Sequence, residues 1–191
     1  MSRLDLVVGP NGAGKSTYVR LVLAGAAPMS AIVNADDISK QNWPEDAEAH
    51  SYDAAEIAAA TRERLIDLRQ PLIAETVFSH ASKLELIHRA QAADYFVALH
   101  VLLVPIDLAV ARVAARVAAG GHSVPTEKVR ARYERLWLLV AAAINMADTS
   151  SVWDNSHIDG PRPVALFSRG EPVGSPSWPS WTPPDLAARW S

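Results

Sequence analysis

Residues 9–17 read GPNGAGKST, a G-x-x-x-x-G-K-S pattern, and they follow the short apolar run LDLVV at 4–8. A strand, this loop and then a helix is the context that the chemistry requires. The glycines let the backbone curl until its amides aim at phosphate oxygens, and the helix that follows adds the positive end of its dipole. In this frame Gly9, Pro10, Asn11, Gly12, Ala13 and Gly14 form the cradle. Lys15 bridges the β- and γ-phosphates, Ser16 ligates magnesium and Thr17 supports a phosphate.

Beyond the loop, Val/Ile/Leu-rich runs recur at 31–34, 71–75 and 96–104, with weaker ones at 151–154 and 163–167. Alanine-rich segments of helical spacing lie between them. Near-continuous apolar strands alternating with helices predict an α/β fold, with a mainly parallel sheet covered on both faces. One helix is expected through 47–69 and another at 80–93. A third should begin at Asp107 and stop at Gly120-Gly121. A fourth should have Thr126 as N-cap and an apolar stripe of Val129, Tyr133, Leu136, Val140 and Ala147. Residues 1–168 are read as one domain. The Pro/Trp-rich stretch 169–191 contains three tryptophans and is expected to pack back on it.

Composition narrows the function classes. The 191 residues are 49% hydrophobic, enough for one core, and carry a net charge of −3 with no long basic run. A nucleic-acid-binding role is therefore not expected. Cysteine is absent, which excludes thiol catalysis and disulfides. No stretch has the length of a membrane span or the form of a signal peptide, so the expectation is a cytoplasmic protein without membrane contact.

Three further stretches bear on chemistry. The second strand ends in VNADD, and carboxylates at the carboxyl end of a parallel strand face the ligand crevice. Asp36 suits a base that takes the proton from an attacking hydroxyl, whereas Asp37 suits a helix cap or a solvated position. The third strand, PLIAETVFS, brings Glu75 and Thr76 to the same edge as groups for a hydroxyl-rich substrate, with Ser79 close behind. His80 and Lys83 are weaker candidates there. Finally, Arg112 and Arg116 share a helix face, and Arg130, Arg132 and Arg135 lie on the next helix. Two helices joined by a glycine turn and presenting arginines have the form of a lid over about 112–132. Arg116 and Arg132 are assigned to the phosphates, and Arg112 to the adenine or a phosphate. Arg130 and Arg135 are expected to face outward and pair with Glu127 or Glu134. His122 is read as an ordinary turn residue, and Asn155 and Ser156 as neighbours of the base because a late strand ends there.

The stretches GPNGAGKST, VNADDI, ETVFSH, RVAARVAAGGHSVPTEKVRARY and WDNS, in this order, resemble the shorter zeta-toxin-like P-loop kinases across about residues 4–168. The resemblance implies a three-layer core with a helical lid, ATP and Mg2+ as cofactors, and phosphorylation of a hydroxyl. It also implies UDP-N-acetylglucosamine or a related sugar nucleotide as acceptor, and an antitoxin as a possible protein partner. By motif it gives the loop roles to Lys15 and Ser16 and the catalytic acid to Asp36. Glu75 and Thr76 match the substrate strand, and Arg116 and Arg132 the charge-neutralising pair. The rivals are a kinase for another small hydroxylated metabolite or antibiotic, and a nucleotide-dependent switch with slow ATP hydrolysis.

Overall fold

The computed structural model describes residues 2–119 and 124–190. Strand β1 (Ser2–Val8) alternates its side chains between two cores. Leu4, Leu6 and Val8 enter the larger core, and Val7 enters the smaller one on the opposite face. That two-sided burial is why the run reads as almost continuously apolar. Six strands join it: β2 (Ala31–Asn34), β3 (Leu72–Thr76), β4 (Tyr95–Leu103), β5 (Thr149–Asp154), β6 (Arg162–Ser168) and β7 (Glu171–Pro172).

The sheet order is β2-β3-β1-β4-β5-β6-β7. The pairs from β2 through β5 are parallel, and β6 and β7 extend the sheet antiparallel. β1 therefore lies between β3 and β4, and the chain leaves it at the point where the connections diverge to either side. In open α/β sheets that crevice is where ligands bind.

After β1 come α1 (Lys15–Tyr18), a π-helical turn (Val19–Leu23) and α2 (Ala24–Ala26). Tyr18, Val19 and Leu23 close the smaller core with Ala109 of α6 (Ile106–Ala118). The remaining helices are α3 (Ala35–Asn42), α4 (Ser51–Asp67), α5 (Ser82–Ala92), α7 (Thr126–Met146) and α8 (Pro184–Ala187). Ile66 of α4, Leu86, Ile87 and Ala90 of α5, and a long face of α7 fill the larger core. The expected stripe on α7 is buried, including Ala147 just past its end.

Several boundaries differ from expectation. The segment after VNADD forms two helices, α3 and α4, and residues 47–50 are turn. Trp43 ends α3 at φ −136°, ψ 67°, and Pro44 follows, so the first helix cannot run on. α6 and α7 each start one residue from the expected place, with Pro105 and Pro125 in the cap position and extended ψ. Thr126 is already helical and makes no capping hydrogen bond. The expected stop at Gly120-Gly121 and the turn residue His122 lie outside the described residues.

The C-terminal stretch lies against the domain. Ser177 N–H donates to Val164 O at 2.8 Å, and Trp190 Nε1 donates to Gly170 O at 3.0 Å. Phe167 meets Trp190 at 4.8 Å and Trp178 at 6.5 Å between ring centroids, and Leu186 is fully buried.

Candidate functional site

The loop after β1 is shaped by contacts that only glycine permits. Gly12 has φ +78°, and a Cβ there would lie 2.5 Å from Ala109 O of α6. Gly14, at φ +84°, precedes α1 in the left-handed region. From the other side Asn155 Nδ2 donates to Ala13 O at 2.7 Å. Lys15 Nζ donates to the carbonyls of Gly9 and Pro10 at 3.1 and 3.0 Å. Burial lowers the Lys15 pKa, and the nearby charges of Glu75 and Asp36 work against that fall.

A cleft of about 550 Å³ opens over this loop at the carboxyl ends of the parallel strands. It falls within the usual range of small-molecule sites, about 300–1,000 Å³. Lys15, Asp36, Glu75, Arg116 and Arg132 all line it. The charges of the other four all act on the Lys15 ammonium. Thr76, Ser79, His80 and Lys83 form a further wall. That wall depends on Phe78, which is fully buried at φ +66° and whose N–H donates to Thr76 Oγ1 at 3.4 Å. A bulky residue in the left-handed region is a local outlier, and here it turns the chain off β3 along the cleft.

On the acid side, Asn34 caps α3, its Oδ1 accepting the Asp36 N–H at 2.9 Å. The cap role thus belongs to Asn34. Asp36 and Asp37 sit in the first turn of α3, where negative charge is favoured, and both are exposed. Glu75 is committed on both oxygens. Ser16 Oγ donates to Oε1 at 2.9 Å, and Asn34 Nδ2 donates to Oε2 at 3.0 Å. Burial raises the Glu75 pKa, against the lowering effects of Lys15 and the Ser16 hydrogen bond.

The arginines divide. Arg116 and Arg132 reach the cleft. Arg112 lies outside its lining and donates through Nη1 to Asn155 O at 2.9 Å, so it braces the residue that holds the loop. Arg130 pairs with Asp107 of α6 at 2.8 Å, in place of the expected Glu127 or Glu134. That contact bridges α6 and α7 because the two helices pack side by side. Arg135 is exposed, as is Glu134. Ser156 N–H donates to Asp154 Oδ1 at 2.8 Å, and Asn155 contacts the loop backbone.

Two features escaped the sequence reading. Arg62 of α4 is only 6% exposed and lines the cleft. It continues the buried row Ala54, Ala58, Arg62, Ile66, and that four-residue spacing was the available signal. The second is a polar network beneath α1. Asp5, 1% exposed, pairs with Arg3 at 2.8 Å and receives His100 Nε2–H at 2.9 Å. His100 Nδ1 then accepts the Tyr18 hydroxyl at 3.1 Å. Burial pushes the Asp5 pKa up, but the hydrogen bonds from His100 and Arg3 together hold it below the ordinary carboxyl value.

The residues present fit a magnesium–nucleotide complex. The loop backbone, Lys15 and the arginines supply donors, and Ser16 with Glu75 supplies oxygens beside them. Asn11, also at the cleft, has a buried Oδ1 with no partner. Among the described residues no cluster of three acidic or histidine side chains stands ready for a metal. Magnesium would accordingly depend on Ser16, nucleotide oxygens and water, as is usual for this ion. Among the same residues no helix is long and apolar enough to cross a membrane.

The family model described as an AAA domain matches residues 4–137. No curated protein matches the chain. Similar solved structures include the PezAT chromosomal toxin–antitoxin system of Streptococcus pneumoniae, with 14% identity, 81% of this chain and 67% of that chain covered, and a TM-score of 0.59. The AvrRxo1-ORF1:-ORF2 complex shows 14% identity, 91% and 60% coverage, and a TM-score of 0.67. The Pnkp1/Rnl/Hen1 RNA repair complex shows 18% identity, 85% and 48% coverage, and a TM-score of 0.61. The chain spans about half to two thirds of the length of these three. They establish a three-layer α/β fold with a mostly parallel sheet of the P-loop kinase type, in line with the zeta-toxin-like resemblance.

Proposed function

The chain belongs to the AAA-domain family, its model matching residues 4–137, and from that premise we propose an ATP- and magnesium-dependent kinase acting on a hydroxyl of a small molecule. The observation that carries this reading is the convergence on Lys15 of two carboxylates, Asp36 and Glu75, and two guanidinium groups, Arg116 and Arg132. A nucleotide switch requires a phosphate cradle but no acids facing an acceptor.

In this reading the loop amides and Lys15 hold the β- and γ-phosphates. Asp36 orients the acceptor hydroxyl and receives its proton as the oxygen–phosphorus bond forms and the bond to the β-phosphate oxygen breaks. Arg116 and Arg132, reaching the cleft from α6 and α7, neutralise the charge spread over the transferred group. Magnesium, when bound, would draw charge from the β- and γ-oxygens. Ser16 would be its ligand, and Glu75 would orient that hydroxyl. Thr76 and Ser79 contact the acceptor.

UDP-N-acetylglucosamine and related sugar nucleotides are the first acceptors to try, on the zeta-toxin-like resemblance. The toxin–antitoxin system among the structural neighbours makes an inhibitory protein the partner to seek. The test is incubation with γ-labelled ATP and a panel of sugar nucleotides, nucleosides, sugars and aminoglycosides, followed by mass spectrometry. Acceptor-dependent label transfer supports the proposal. Slow ATP hydrolysis that no acceptor accelerates contradicts it and favours a switch.

A further inference from the structure

We infer that Arg62 and Lys83 form an oxyanion subsite on the acceptor side of the cleft, so that the acceptor is a small hydroxyl compound bearing a phosphate ester or a carboxylate. This deepens the kinase reading and rests on it. Arg62 offers five N–H donors and is 6% exposed, yet it makes no hydrogen bond or ion pair with any described residue. The carboxylate whose charge it feels, Glu63, is engaged by Arg89 at 3.2 Å. Lys83, half-buried in the first turn of α5, likewise makes no hydrogen bond or ion pair with an acid among the described residues and is repelled by Arg62.

Burying a guanidinium without an acceptor is unfavourable, and placing an ammonium near it makes it more so. Both cations line the same cleft as Lys15, at its α4 and α5 wall, whereas Arg116 and Arg132 come from the α6 and α7 side. Six cationic and three acidic side chains line that cleft, although the chain carries a net charge of −3. Arginine recognises planar or tetrahedral oxyanions through paired N–H groups, and a nearby lysine adds a point charge. A neutral sugar would leave both cations unmatched, and a cationic antibiotic would be repelled. The whole open cleft, phosphate loop included, is about 550 Å³, which leaves room beside a nucleotide only for a small molecule.

The experiment saturates the protein with magnesium and a non-hydrolysable ATP analogue, which fills the loop, and then titrates inorganic phosphate or acetate by calorimetry. The expected result is binding of one of these anions to the nucleotide-loaded protein, weakened about tenfold in both Arg62→Met and Lys83→Gln. The anion that binds identifies the phosphate or the carboxylate class. Absence of anion binding to the loaded protein, or binding that Lys83→Gln retains in full, overturns the subsite. Lys83→Gln is decisive should Arg62→Met fail to fold, because Lys83 is only half-buried. Failure of the ATP analogue to bind counts against the kinase reading alone, and the Lys83→Gln comparison on the nucleotide-free protein then decides the subsite.

Discussion

Ser16 donates its hydroxyl to Glu75 Oε1 at 2.9 Å, joining the loop after β1 to the end of β3. Asn34 at the end of β2 holds the other oxygen at 3.0 Å, so the first turn of α1 and the ends of β2 and β3 meet on one carboxylate. In the proposed reaction Glu75 therefore orients the Ser16 hydroxyl, whereas the sequence alone presents it as an acceptor contact. Glu75→Gln should weaken the magnesium dependence of turnover by about tenfold to a hundredfold, the usual scale for a residue orienting a metal ligand. A magnesium titration with an unchanged midpoint and a raised acceptor KM would return Glu75 to the acceptor.

Lys15 is buried among charges of both signs and aimed into its own loop. Lys15→Ala should lower ATP affinity by roughly tenfold to a hundredfold, the scale of a hydrogen bond from a charged donor. Calorimetry that finds the affinity unchanged would contradict its role as phosphate ligand.

Asn155 and Arg112 form a brace behind the loop, through bonds of 2.7 Å to Ala13 O and 2.9 Å to Asn155 O. Arg112→Ala should raise the nucleotide KM several-fold, and equally for ATP and GTP, because the loss is positional. A loss confined to ATP would show that Arg112 reads the adenine instead.

Asp5 tests the scaffold beneath α1. Its folded pKa is depressed, so its stabilisation is present above the ordinary carboxyl pKa and is lost as pH falls through the depressed value. Asp5→Asn leaves Arg3 and His100 without their anion and should cost about 3 kcal/mol at pH 7. Denaturant titrations should show that gap closing in acid. A gap that stays constant down to the lowest pH at which the protein folds would contradict the charge-based account.

The strand–loop–helix unit and the parallel sheet were legible because glycine spacing and apolar runs are local signals. VNADD and ETVFS marked two strand ends that line the cleft for the same reason. Partners set by packing were not legible. Arg130 finds Asp107 because α6 and α7 pack together, and Arg112 finds Asn155 across 43 residues. Asp5 sits inside an apolar run and is tolerated there only because His100 and Arg3 arrive from the fold. Arg62 stands beside Glu63 and Arg64, and its place in the four-residue row of Ala54, Ala58 and Ile66 sets it apart from them. Asn34 took the cap because the strand ends at it, leaving both aspartates on the helix.

In the proposed reaction Asp36 accepts the proton of an attacking hydroxyl beside a loop-bound nucleotide. Single-turnover transfer from γ-labelled ATP, measured for the native chain and Asp36→Ala at matched nucleotide occupancy, tests it most directly. ATP affinity should stay within about threefold of the native value, and transfer should fall by a factor of about 10² to 10⁴. Transfer at the native rate in the variant would contradict it.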